Sequence, residues 1–512
     1  MQVVPTRSAF HLTLLGAACM LTGIGLSRPV AVLWGGALLL GVVIARAAAK
    51  WGAARSRASG FEMVWDDRRR LIPAVRSTPL EVFAILTNRD LRPLEFSELT
   101  LMHAAGVEGR VTPRSGVIPR GASVRVRVEL TSHCVGPSGI FGLSIKTSRA
   151  PGLFVVPLLF SNPLVLLTAP ESHVLGARAQ RGASSHAQPR RAVLSREVAE
   201  FRELREHRPG DPFRRIAWKP SARRGKLLVV ETEEKFDTDI WVLLDASLEL
   251  ARGPAGKAPR ESALEHTASL IRARLEAGQR VGLIVYAARE LVRIHPEPGR
   301  RQWLRMRLAL TEEVHTADAD RSALSIFELE QLALEHMSSI DPRLADGGRR
   351  QPIATELLET LTRGAPYQPQ KIFASSPHER ALRAYLRAFG VDSPPLDMDE
   401  RPRSERRLAA ILGERTFKTG RAGEVIVVGP PPDSHSPKEL LSALERVVRR
   451  GTRLWFHAVA PSREEGQSES ERGEIFRRVK RARLEAGLIE SRKILSARGV
   501  KVRALSPQRP RE

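Results

Sequence analysis

Ile240-Trp241-Val242-Leu243-Leu244-Asp245-Ala246-Ser247 is the run that decides the fold. Five apolar residues in succession, closed by an acid and two small residues, describe a strand buried on both faces, the kind found inside a parallel sheet. The residues downstream keep to that pattern. Residues 262–277 carry Leu264, Ala268, Ile271 and Leu275 at helical spacing, and residues 281–286 form a second wholly apolar strand. Strands at 425–428, 453–459 and 500–505, with helices at 437–450 and 475–488 between them, repeat the alternation. The implied fold is α/β, a doubly wound parallel sheet over residues 237–507, with an insertion at about 311–420 that carries no placeable motif.

Such sheets bind ligands beyond the carboxyl ends of their strands. The turn that stands there, Asp245-Ala246-Ser247-Leu248-Glu249, has no Gly-rich phosphate loop, which argues against a dinucleotide or P-loop site. It resembles the first loop of von Willebrand factor A domains, whose Asp and two alternate serines are oxygen ligands for magnesium, a hard cation that takes carboxylates and hydroxyls. Asp245 and Ser247 match that pattern, whereas Glu249 stands in the second serine's place. Thr316 and Asp433 are loose candidates for the remaining positions. The expectation is therefore a degenerate metal site, with no cofactor and with Asp245 a strand-end carboxylate paired with a cation.

Upstream, residues 194–236 contain Arg208-Pro209-Gly210-Asp211-Pro212-Phe213-Arg214-Arg215-Ile216-Ala217-Trp218-Lys219-Pro220-Ser221-Ala222-Arg223. Pro, Gly and Asp predict a sharp bend, and Phe213, Ile216 and Trp218 read as apolar anchors, Trp218 as a buried one. Ser221 is expected to cap or turn the backbone and Asp211 to hold an arginine. The surrounding cations are then expected to pair with carboxylates of the sheet, making the segment a structural joint.

Farther out, residues 61–170 show short alternating segments between turn residues, among them 80–86, 122–130, 140–144, 154–159 and 164–167. These predict an immunoglobulin-like β-sandwich. Residues 171–193 hold almost no large apolar side chain and read as a flexible linker. At the N-terminus, residues 1–57 carry two apolar runs, 9–27 and 30–45, split by Arg28-Pro29. The second run extends through residues 47–49 if Arg46 and Lys50 reach the interface. A cleaved signal would have one apolar core, so a transmembrane helical hairpin is the preferred reading. Arg7 before it and Arg46, Lys50, Arg55 and Arg57 after it place both ends in the cytoplasm.

A net charge of +24 over 512 residues raises nucleic acid as a partner. Arginine is spread along the whole chain, however, and aromatics make up only 5%, which leaves no stacking platform. Anionic lipid fits the same charge better. Cys19 and Cys134 have neither disulfide-framework nor zinc spacing.

Together the parts resemble the bacterial membrane-linked proteins called domain of unknown function 58. The likeness is carried by Arg208-Pro209-Gly210-Asp211, Arg214-Arg215-Ile216, Trp218 and Ser221-Ala222-Arg223, with His207 standing where the family has tyrosine. It covers most of the chain apart from residues 311–420. The resemblance implies a membrane hairpin, a β-rich segment and a von Willebrand A-like domain, working beside a MoxR-type AAA ATPase in assembly or maturation of a complex. The expected function is a membrane-anchored protein-interaction scaffold. Polyanion or nucleic-acid binding through the arginine-rich turn is the alternative. A hydrolase built on Ser221, His207 and Asp211 ranks last, because Ser221 lies in Pro-Ser-Ala-Arg without a nucleophile elbow.

Overall fold

A computed structural model describes residues 3–58, 62–67, 71–148, 152–172, 200–207, 216–233, 239–312, 314, 318–322, 324–340, 372–388, 391, 400–418, 422–459 and 486–505. The chain opens with a short strand, β1 (Val4–Pro5), and two helices, α1 (Arg7–Gly25) and α2 (Pro29–Ala58). Thr6 caps α1 by accepting from the Ala9 N–H, and Pro29 opens α2, where its missing N–H costs nothing. Both helices are long and apolar enough to cross a membrane. They touch through small residues: a Cβ on Gly35 would lie 2.7 Å from the Gly16 carbonyl oxygen. Close backbone approach of this kind is how helices associate where no hydrophobic effect drives them together.

Next come β2 (Glu62–Trp65), β3 (Leu71–Val75), β4 (Leu80–Thr87), β5 (Leu94–His103), β6 (Val107–Thr112), β7 (Gly116–Ile118), β8 (Ser123–Ser132), β9 (Gly136–Ser148) and β10 (Phe154–Ala169). One sheet runs β1-β10-β9-β5-β7 with β3 also on β10, and the other runs β2-β4-β8-β6. Their facing side chains form one core, including Leu86 and Val128 from the second sheet and Leu143 and Leu164 from the first. Strand β8 bears out the alternation at 122–130. Its Val126, Val128 and Leu130 are buried, while Arg125 and Arg127 pair outside with Asp66 and Glu81. The two segments at 154–159 and 164–167 are a single strand, β10, whose pairing with β9 slips between Ser161 and Leu164.

The foot of the helical hairpin rests on this body. β1 pairs with β10, and Ala9, Ala49 and Ala53 pack against Leu153, Phe154, Val156 and Leu158.

Beyond residue 199, β11 (Glu200–Glu206) pairs antiparallel with β12 (Leu228–Glu233), and between them sits α3 (Trp218–Arg224). The α/β part then supplies β13 (Asp239–Asp245), α4 (Leu248–Ala251), α5 (Pro259–Glu276), β14 (Val281–Tyr286), β15 (Glu290–Glu297) and α6 (Arg300–Glu312). After these come α7 (Ile326–Ile340), α8 (Pro377–Ala388), α9 (Arg401–Leu412), β16 (Ala422–Gly429), α10 (Lys438–Arg449), β17 (Arg453–Val459), a helix at 486–496 and β18 (Lys501–Leu505). Sheet order is β15-β14-β13-β16-β17-β18, parallel except for the edge strand β15. Along β13, Ile240, Val242 and Leu244 enter one core with α5 and α6, and Trp241 and Leu243 enter another with α9 and α10. Helices thus cover both faces, as the unbroken apolar run requires. From the helix expected at 475–488, the described part begins at residue 486.

Among the described residues, the insertion at about 311–420 contributes helices. α7 and α8 enclose Leu329, Ala333, Leu382, Tyr385 and Leu386 around Phe141 of β9, so this pair packs on the β-sheet body.

Candidate functional site: the strand-end face

The chain runs outward from β13 through β14 to β15 and then returns to β16 on the other side, so the order of strands reverses between β13 and β16. A crevice for ligands opens beyond the carboxyl ends at such a point. Asp245 ends β13 and Gly429 ends β16. The two are in contact, since a Cβ on Gly429 would lie 2.6 Å from the Asp245 Cβ. Only a residue without a side chain can close β16 here.

Asp245 is 7% exposed, and both its oxygens are engaged. Oδ1 accepts from the Ser247 N–H at 2.7 Å, and Oδ2 accepts from Ser404 Oγ at 2.8 Å. The Ser247 side chain, 2% exposed, lies against the same carboxyl and helps to hold its charge. Burial pushes the Asp245 pKa from 3.8 to about 6, Glu249 adds to the rise, and the Ser247 and Ser404 contacts oppose it.

Arg401, at the head of α9, stands among the other acids of this edge. Its guanidinium lies 3.0 Å from Asp433 Oδ2, 3.3 Å from Glu405 Oε1 and 3.5 Å from Glu249 Oε1, and donates to the Pro431 carbonyl at 2.7 Å. Ser436 Oγ donates to Glu405 at 2.7 Å, tying the loop after β16 to α9. Behind it, Glu400 accepts from the Leu248 N–H at 2.8 Å and lies 3.7 Å from Arg321, whose guanidinium also donates to the Ala246 carbonyl. The acidic oxygens suited to a divalent ion are therefore here, but a guanidinium stands between them, and these residues do not fit a metal. Among the described residues no group of three or more His, Cys, Asp or Glu could hold one.

Asp245, Ser247, Glu249 and Asp433 meet at one edge, as the strand-end rule anticipates, while Thr316 lies outside the described residues. Arg401, Ser404 and Glu405 are not legible in the sequence as site residues. The one local signal is Pro402 close behind an acid, which marks a helix start.

The basic segment differs from expectation. Arg208, Pro209, Gly210, Asp211 and Arg215 lie outside the described residues. Ile216 is buried and bridges Val229. Trp218 is 65% exposed, which corrects its reading as a buried anchor. Lys219, Arg223 and Arg224 are exposed on α3, and Lys226 pairs with Glu206 of the same hairpin at 2.8 Å. Among the described residues, none of these four pairs with a carboxylate of the six-stranded α/β sheet. A short helix with one buried polar residue cannot cover Trp218, so the ring points outward. That buried residue is Ser221, whose hydroxyl donates to the Ala217 carbonyl at 2.8 Å and accepts from the Leu228 N–H at 2.9 Å. It latches α3 to β12.

The joint between the β-sheet body and the α/β part lies elsewhere. Arg76, in the turn after β3, reaches Glu265 of α5 at 2.5 Å and donates to the carbonyls of Gly256 at 2.8 Å and His133 at 2.6 Å. Glu261, 1% exposed, accepts from the Val135 N–H at 2.8 Å.

Residues 203–348 match the family model described as Protein of unknown function DUF58, which supports that family for the segment holding Ile216, Trp218, Ser221, Asp245 and Ser247. No curated protein matches the chain. Among solved structures, the secreted serine protease VesC from Vibrio cholerae is 14% identical with a TM-score of 0.18, over 25% of this chain and 26% of that one. The chain thus spans about a quarter of the protease's length. PapD-like domain 7 of human CEP192 is 13% identical with a TM-score of 0.16, over 22% of this chain and 87% of that one. WR4, an MSP family member of C. elegans, is 11% identical with a TM-score of 0.15, over 21% of this chain and 97% of that one. At these TM-scores the likenesses carry no argument.

Proposed function

We propose that this chain is a membrane-anchored interaction scaffold whose α/β part receives a protein partner at the strand-end face. The observation that carries the reading is the ordered polar edge at the topological switch point, where Asp245, Ser404, Arg401, Glu405 and Asp433 interlock across β13, α9 and the loop after β16. In this reading the sheet, with its antiparallel edge strand, is von Willebrand A-like, the β-sheet body is an immunoglobulin-like spacer, and the α1–α2 hairpin spans a bacterial inner membrane with both ends in the cytoplasm. The partner sought first is a MoxR-type AAA ATPase, which the resemblance to the domain of unknown function 58 implies. Ser221 acts as a latch, with its hydroxyl committed to backbone groups. No enzymatic role is assigned.

The test is affinity purification of the full chain from detergent extract, with and without magnesium, followed by mass spectrometry. A reproducible partner, an AAA ATPase foremost, is expected in both conditions. Recovery of none, or binding that only tracks polyanion concentration and collapses steeply with salt, contradicts the proposal.

A further inference from the structure

The β-sheet body meets the α/β part at one end and the foot of the helical hairpin at the other, and two loops at that second end are built around Asn88, which is 0% exposed. Asn88 Nδ2 donates to the carbonyls of Arg92 at 2.9 Å and Ile118 at 3.0 Å, and Oδ1 accepts from the Asp90 N–H at 3.0 Å. The Asn88 N–H donates to the Ala122 carbonyl at 3.0 Å, and the Asn88 carbonyl accepts from the Gly121 N–H at 2.9 Å. One residue thus stitches the β4–β5 loop, residues 88–93, to the β7–β8 turn, residues 119–122. Asp90, 4% exposed, ties the pair to the hairpin, 3.6 Å from the Arg55 guanidinium of α2.

On this stiffened tip Leu91 is 61% exposed, Arg92 follows it, and Arg120 is exposed on the neighbouring turn. Arg55 answers Asp90 and Arg89 answers Glu62, whereas among the described residues no carboxylate pairs with Arg92 or Arg120. An apolar side chain held out by a rigid loop beside cations has the chemistry of an interfacial membrane contact, in which the apolar group enters the headgroup boundary and the cations meet phosphates. The level along the helix agrees. Lys50 and Trp51, the latter 67% exposed, lie about one turn before Arg55 and are the residue types that mark a membrane–water interface. Four residues of helix rise about 6 Å, and the headgroup layer on one side of a bilayer is about 5–7 Å deep. The loops beside Arg55 therefore stand at the outer edge of the headgroups, within a Debye length of about 8 Å from the lipid charge.

We propose that Leu91, Arg92 and Arg120 form a seat for anionic phospholipid headgroups beside the foot of α2, pinning the β-sheet body to the surface of the bilayer that the hairpin crosses. The seat rests on the reading of α1 and α2 as membrane-spanning and is independent of what binds the strand-end face.

The experiment uses the full chain with Cys19→Ala and Cys134→Ala, carrying an environment-sensitive fluorophore at Pro93→Cys, next to the seat, or at Leu40→Cys, an exposed position within the apolar run of α2. Each is reconstituted into nanodiscs of phosphatidylcholine alone or mixed with phosphatidylglycerol. Nitroxide lipids serve as quenchers, labelled at the headgroup for the Pro93 probe and in the acyl chain for the Leu40 probe. The Leu40 probe should be quenched in both compositions, which reports the span itself. The Pro93 probe should be quenched strongly only with phosphatidylglycerol. Each arginine at an anionic surface is worth about fivefold in the contact equilibrium, so the pair is worth roughly thirtyfold. Arg92→Glu with Arg120→Glu should therefore abolish the Pro93 quenching, and Leu91→Ala should weaken it. Both variants should leave the Leu40 signal and the melting temperature in detergent unchanged, because all three side chains are exposed. Pro93 quenching that is absent, equal in the two compositions, or reduced by neither variant overturns the seat while leaving the span. A Leu40 probe that escapes quenching overturns the span, and the seat with it.

Discussion

Asp245 keeps a charge where burial disfavours one, and stability should register it. Its pKa is raised from 3.8 to about 6, so the folded state holds the proton more tightly than the unfolded chain. The contribution to stability is then greatest below about pH 4 and falls as pH rises toward 6, a loss of about 3 kcal/mol at neutral pH. Asp245→Asn keeps an acceptor for the Ser247 N–H and can donate to Ser404. Chemical denaturation at pH 7 should show the variant more stable than wild type by up to about that amount, with the gain vanishing near pH 4. Trp218→Ala, in contrast, should change stability by less than about 0.5 kcal/mol, because the ring is 65% exposed. A larger loss in the same denaturation experiment would restore it as an anchor. Asp245 and Ser247 are legible in the sequence because strand ends in α/β sheets carry function. Ser404 is not, since its hydroxyl meets Asp245 across 159 residues of chain. Trp218 misleads because an aromatic between Ile216 and Pro220 looks like core until the helix it rides on proves too short to bury it.

At the level of elements, the contact between α5 and β17 depends on a histidine pair. His266 Nε2 and His457 Nδ1 are 2.7 Å apart, so one ring must donate and the other accept. Burial holds His266 at about 4, with Arg503 adding to the fall, and His457 at about 3, helped by His266, Arg503 and Arg274. These folded values lie below the ordinary 6.5, so the pair's contribution is complete above that pH and is lost as pH falls toward 4. Protonating one ring puts a charge into this buried contact, and protonating both sets donor against donor. His457→Leu should therefore flatten the decline in urea-unfolding free energy between pH 7 and pH 5, and an unchanged slope would clear the pair of that role. Arg76→Ala should be costlier. It leaves Glu265 without its 2.5 Å partner at the seam between the β-sheet body and α5, at about 3 kcal/mol. Differential scanning calorimetry should then show the transition moved down or split into two. Most strands of the α/β part can be read to within a few residues, because burial on both faces leaves an unbroken apolar run. Arg76 is not readable as a hinge pin, since one arginine in a turn looks like any solvated charge.

For the molecule as a whole, the legible features are those written in long apolar patterns: the two N-terminal helices and the doubly wound sheet. The hidden ones depend on distant parts of the chain meeting. The insertion without a placeable motif supplies α7 and α8, which pack on Phe141, and α9, which builds the strand-end site. Its helices carry no signature because their task is to meet surfaces made elsewhere. The helical hairpin, the β-sheet body and the α/β part form a continuous path of contacts from β10 through Arg76 to the sheet. A partner at the strand-end face would thus be linked, through that path, to the α1–α2 hairpin. The most direct test places a photo-crosslinking residue at His435, an exposed position beside Asp433 in the loop after β16, in the full chain within native membranes. One reproducible protein adduct that persists when magnesium is chelated is the expected result. A face that yields no protein adduct there, while the same probe on exposed α3 does, would contradict the scaffold reading.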